Sequence, residues 1–191
     1  MYHGQQEHTW SQSFVESVEG ALERAGLRNR LHRPPAVCFL DITGYTRLTE
    51  ERGDEAVAEL AARLATLVRR SSQKQGGQPV KWLGDGVMFY FPNPGAGVLA
   101  ALDMVKGVAA HGLPPAHVGI HAGPVVFQEG DYFGRTVNIA ARFAEYARPV
   151  LVSQDVVDVA QGIAVRFTEV GPVELKGVSG SLRLHSARRS G

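Results

Sequence analysis

From residue 36 onward, apolar positions alternate between short runs and helical stripes. AVCFLD, residues 36–41, is a brief continuous apolar run closed by Asp41 and reads as a central strand. In DEAVAELAARLATLVRRSS, residues 54–72, Val57, Leu60, Leu64 and Leu67 recur on one face of a long helix. Asp54 and Glu55 suit the positive end of that helix. PVKWL and VMFYF flank Gly84-Asp85-Gly86, a hairpin signal. GAGVLAALDMVKGVAAHG reads as a second helix, AHVGIHAGPVVF as a strand and RTVNIAARFAEYA as a third helix. PVLVS, VRFTEV, VELKG and LRLHS are short strand candidates, with a small helix around QDVVDVA. The order strand, helix, hairpin, helix, strand predicts an α+β fold of the ferredoxin-like kind, a mixed sheet with helices packed on one side.

Ahead of this domain, Trp10, Phe14, Val18 and Leu22 stand four apart and predict an amphipathic helix over 10–27. Gly26 and the Pro34-Pro35 pair mark its end, which divides the chain into a helix and linker, 1–33, and a main domain, 34–191. Such a helix suits pairing with its mate, relaying a signal from a regulatory domain or partner, or packing on the domain.

Composition narrows the class. The 191 residues suffice for one domain with a sizeable core, and the formal net charge is +1. That balance, with both signs interspersed, argues against nucleic acid or an anionic membrane as the main partner. No apolar run is long enough to span a bilayer, and MYHGQQEHTWSQ lacks the apolar centre of a signal peptide. The single cysteine, Cys38, lies within the first apolar run and reads as a buried, inert thiol. A cytoplasmic location is expected.

Two carboxylates stand out because they end strands that otherwise read as core. Asp41 and Asp85 would converge if their strands pair, and they would repel unless a cation lay between them. Hard divalent ions such as Mg²⁺ or Mn²⁺, which prefer oxygen donors and take carboxylates together with substrate phosphates, suit that arrangement. Singly, each is better explained as a turn residue. Asn138 and Arg142, four apart in VNIAARF, share a helical face framed by small and apolar neighbours. Arg142 would suit a phosphate, although a solvated stripe explains the pair equally well. His117 and His121 fall on one strand face without a zinc set around them, Trp82 and Tyr90 read as packing residues, and Gly134 as a turn former.

Taken together, FLDITGYTRL, KWLGDGVM, VGIHAGPVV and DYFGRTVNIAARF resemble, in order and spacing, the catalytic domain of class III adenylate and guanylate cyclases, most closely the bacterial adenylate cyclases. The resemblance covers residues 36–186. It implies that Asp41 and Asp85 bind two divalent cations, Mg²⁺ or Mn²⁺, with the backbone carbonyl of Ile42 as a further ligand. It implies that Lys81 and Asp131 read the purine, that Asn138 positions the ribose and that Arg142 stabilises the transition state. Lys176, in ELKGVSG, would contact the terminal phosphates. The implied substrate is ATP, because an ionised Asp131 accepts from the adenine amine and Lys81 donates to N1, whereas guanine presents the opposite pattern. The family also implies a homodimer whose two sites each draw on both copies. The competing readings are a guanylate cyclase, disfavoured by Lys81 and Asp131, and a silent cyclase-like module, which would have no reason to keep the full set.

Overall fold

A computed structural model describes residues 34–83, 86–146 and 148–191. The helix expected over 10–27, and with it the 1–33 segment, lies outside the described residues. Asp85 lies outside them as well.

The chain runs β1 (Ala36–Ile42), α1 (Tyr45–Lys74), β2 (Gln78–Leu83), β3 (Gly86–Phe91), α2 (Pro94–Ala110) and β4 (Ala116–Ala122). It continues through β5 (Val126–Gln128), β6 (Asp131–Phe133), α3 (Arg135–Ala144), β7 (Val150–Ser153), α4 (Gln154–Val159), β8 (Val165–Glu174) and β9 (Ser181–Arg189). Seven strands form one sheet in the order β2-β3-β1-β4-β7-β9-β8, while β5 and β6 pair with each other in a separate two-stranded sheet. Every ladder of the large sheet is antiparallel except β4 with β7. The expected α+β mixed sheet is present.

Its helices are not confined to one side. Ala36, Cys38, Leu40 and Ile42 of β1 pack beneath α1, α2 and α4. Val37 and Phe39, pointing the other way, join Met88 and meet Ala140 and Ala144 of α3. The reason is legible in β1 itself: every residue of AVCFL is apolar, so both faces need cover. Cys38 is buried, and that burial raises its thiol pKa far above the usual range, as expected of an inert thiol.

α3 can lie close to the sheet because its contact point on β4 is Gly119. A methyl group there would sit 2.5 Å from the Ala144 backbone nitrogen and 2.6 Å from the Ala140 carbonyl oxygen. Beyond this contact, Ile139 and Phe143 of α3 fill a further apolar cluster with Leu151, Leu184 and Leu175. The helix is therefore seated by its apolar side, and Asn138 lies exposed on the opposite side.

Three local differences from the pattern-based expectation have plain causes. α1 begins at Tyr45, before the expected Asp54, and is interrupted at Gly53 (φ 78°, ψ 167°), so Asp54 and Glu55 do follow a break. AHVGIHAGPVVF is divided between β4 and β5 by Gly123-Pro124, where proline cannot donate to a ladder. The Thr136 hydroxyl donates to the Pro124 carbonyl at 2.7 Å and ties this turn to α3. β6 was not foreseen; Glu129 (φ 50°) and Gly130 (φ 80°) form the two-residue link joining it to β5.

Candidate active site

Asp41 is the penultimate residue of β1, flanked across the ladders by Gly86 of β3 and His117 of β4. Alternation along the strand puts it on the same face as Val37 and Phe39, and its side chain is half-buried. β3 comes unusually close here, since a side-chain carbon on Gly86 would lie 2.6 Å from the Leu40 carbonyl oxygen. The residue that follows Asp85 in the chain is thus held directly across from Asp41. Ile42 is buried, and the Thr43 hydroxyl lies 3.2 Å from His117 Nδ1.

Lys81 on β2 and Asp131 on β6 are fifty positions apart in sequence but meet at 2.8 Å, Nζ to Oδ2. The second carboxylate oxygen, Oδ1, accepts from the Tyr132 backbone N–H at 2.8 Å. Lys81's hydrogen bond is the largest influence on Asp131 and holds its carboxyl below the usual carboxylate range; the Tyr132 N–H adds to this and partial burial opposes it. Asp131 is thereby kept ionised, an acceptor only.

Asn138 is exposed and Arg142 half-buried on the side of α3 away from its apolar clusters. Arg142 Nη1 donates to Glu145 Oε1 at 3.0 Å. Lys176 is exposed on the loop between β8 and β9. That loop is tied to α3 twice: Leu175 is buried against Ile139 and Phe143, and Arg135 Nη2 donates to the Ser179 carbonyl at 3.3 Å. Within the set, Lys81 and Asp131 are in direct contact. Elements position the rest.

Pattern reading missed two features. The Tyr90 and Tyr132 rings stack, centroids 4.5 Å apart and planes within 6°. Trp82, expected to pack, is 44% exposed, as are Leu83 (41%), Phe127 (55%) and Phe133 (50%). All four lie on the β2–β3 or β5–β6 hairpins. The apolar-polar pattern could not separate them from core residues.

Among the described residues no group of three His, Cys, Asp or Glu could hold a metal ion by itself. His121 is buried instead, with Nδ1 2.8 Å from the Ser153 hydroxyl and its ring edge-on to Phe143. Burial pushes its pKa down, Asp155 at 3.9 Å pulls it up, and Arg135 pushes it down again. Above the ordinary value of about 6.5 both folded and unfolded chains leave the ring neutral; below it the unfolded chain takes the proton first. Stability is therefore expected to fall as pH drops from about 7 to 5. Thermal midpoints across that range should fall less in a His121→Asn chain.

The Adenylate and Guanylate cyclase catalytic domain model matches residues 29–186, and the chain belongs to that family. It is 33% identical over 185 residues to the pH-sensitive adenylate cyclase MT1302 of Mycobacterium tuberculosis, covering 92% of this chain and 46% of the relative. An adenylate cyclase of Streptomyces coelicolor is 32% identical over 141 residues, 73% of this chain and 37% of that one. The chain thus spans less than half the length of these curated relatives. Its fold is similar to that of the adenylyl cyclase CyaB from P. aeruginosa, with TM-score 0.71 at 24% identity over 83% of this chain and 95% of that one. An adenylate/guanylate cyclase/hydrolase from Silicibacter pomeroyi gives 0.69 at 26% identity, over 81% and 96% respectively. No helix among the described residues is long and apolar enough to cross a membrane.

Proposed function

We propose that this chain is an adenylate cyclase catalytic domain that converts ATP to 3′,5′-cyclic AMP and pyrophosphate in sites shared between two copies. The observation that carries the choice of base is the 2.8 Å pairing of Lys81 with Asp131. An ionised carboxylate and an ammonium side by side offer an acceptor for the adenine amine and a donor for N1. Guanine would set a carbonyl oxygen against Asp131 and an N–H against Lys81, a mismatch worth about 10⁴-fold or more in a site built for hydrogen bonds.

In the reaction, the ribose 3′-oxygen attacks the α-phosphorus, the bond from that phosphorus to the bridging oxygen breaks, and pyrophosphate leaves. The hydroxyl proton is released to solvent. Asn138 would hold the ribose so that attack is in line. Arg142 would meet the charge that grows on the α-phosphoryl oxygens. Its exposed link to Glu145 is no obstacle, because such pairs are worth about 0–1 kcal/mol. Lys176 would hold the departing phosphates.

Asp41, Asp85 and the Ile42 carbonyl are all oxygen donors, which fits hard divalent cations, and the tight seating of Gly86 against β1 supports their grouping. Mg²⁺ or Mn²⁺ bound there would lower the pKa of the 3′-hydroxyl and offset phosphate charge.

Sharing between copies is supported by the exposed Trp82, Leu83, Phe127 and Phe133 around the Lys81–Asp131 pair, large apolar side chains that a second copy would cover. The test is complementation. Purified Asp41→Ala and Arg142→Ala chains should each be inactive with ATP and Mn²⁺. Mixed, they should recover about a quarter of the unaltered activity, since half the dimers are hybrid and each hybrid holds one whole site. Proven hybrids with no activity would exclude shared sites.

A further inference from the structure

Asp131 is carried on the β5–β6 hairpin, which shares no ladder with the seven-stranded sheet. If Asp131 reads adenine, its ion pair with Lys81 cannot also be the anchor of the hairpin, because the incoming base must engage both partners. Some other contact has to fix the carboxylate's position. Tyr132, the next residue, meets that need. Its ring lies flat on Tyr90 of β3, centroids 4.5 Å apart and planes within 6°, and Phe127 closes against it from the hairpin side at 4.9 Å. The same tyrosine packs against the buried cluster of Val37, Phe39 and Met88. Its backbone N–H then donates to Asp131 Oδ1 at 2.8 Å. A rigid path leads from the main sheet through two stacked rings to the carboxylate.

We infer that Tyr90 and Tyr132 are positioning residues for base choice: their stack fixes the Tyr132 backbone, and the Tyr132 N–H aims the Asp131 carboxylate at the purine edge. The inference rests on the reading of Lys81 and Asp131 as base contacts. Neither tyrosine touches the nucleotide in this scheme. Loosening the stack lets the hairpin drift, so the carboxylate presents a blurred acceptor and the advantage of ATP over GTP shrinks.

The experiment measures kcat/KM for ATP and for GTP with the full chain and its variants, alongside thermal unfolding. Tyr90→Leu and Tyr132→Leu should each lower the ATP-to-GTP ratio about two- to tenfold, the range an aromatic pair contributes. The loss should fall mainly on KM for ATP. Tyr90→Phe keeps the ring and should keep the ratio. The double Leu variant should lose no more than the larger single loss, because both changes break one contact. Tyr132 lies outside the main sheet, so its Leu variant decides the matter if Tyr90→Leu fails to fold.

Folded Leu variants with an unchanged ratio overturn the inference, as does a Tyr90→Phe chain that behaves like Tyr90→Leu. Lys81→Met separates the two levels. If it also leaves the ratio unchanged, base reading by Lys81 and Asp131 has failed, and the positioning role falls with it. If it shifts the ratio while the Leu variants do not, only the positioning role is lost.

Discussion

An Asp41→Ala chain is expected to form cyclic nucleotide at least about a thousandfold more slowly than the unaltered chain at saturating ATP. A thousandfold corresponds to about 4 kcal/mol of transition-state stabilisation, the scale that cation binding at a phosphoryl group supplies. The fold should survive. Asp41 is half-buried next to the end of β1, and the strand is held by the buried apolar residues on either side of it. Its removal deletes a charge and opens no cavity in the core, so the unfolding midpoint should move by no more than a few degrees. Asp41→Asn should be nearly as slow, because an amide keeps the shape but not the charge that the proposed divalent ion would need. Raising Mn²⁺ should restore little to either variant. Near-normal rates in Asp41→Ala would place the reacting centre elsewhere.

Gly119→Ala should be among the most damaging single methyls that the described residues could take. At that position the new carbon would sit 2.5 Å from the Ala144 nitrogen and from Phe143 Cβ, and 2.6 Å from the Ala140 oxygen. Two of these neighbours are backbone, so no rotamer change relieves them. α3 must shift away by about 1 Å, at a cost of about 2–3 kcal/mol for an overpacked core. In a domain of this size that lowers the unfolding midpoint by about 5–10 °C. Activity should fall further than stability suggests, since Asn138 and Arg142 travel with the helix and a 1 Å misplacement costs about a hundredfold. Calorimetry and a cyclisation assay on the same sample check both halves. A variant that melts and turns over normally would mean that α3 is not seated against β4 as described.

Much of this architecture was readable from apolar periodicity. Val57 and Leu64 are buried in α1 as their spacing required, and AVCFL became the central strand. The same run also held the evidence for a second covered face, which a reading in terms of strand against helix passes over. β6 escaped notice because three residues are too few to show a period. The candidate site divides along similar lines. That Asn138 and Arg142 share one side of α3 follows from helical spacing, whereas their roles come only from the family resemblance. Lys81 and Asp131 carry no local signal, being a strand lysine and a loop aspartate separated by fifty positions. The resemblance pairs them by role, but their 2.8 Å contact is tertiary information that no local pattern carries. Trp82 illustrates the opposite failure: its apolar bulk predicts the interior, but it sits on an edge strand and is 44% exposed.

The isolation of the β5–β6 hairpin bears on how such a domain can diversify. The six residues of its two short strands share no ladder hydrogen bond with the large sheet. On the proposed reading, the acceptor half of base choice rides on this hairpin, while its Lys81 partner stays with β2 of the large sheet. A lineage could then retune which nucleotide it consumes by rewriting this flap together with the one lysine that faces it.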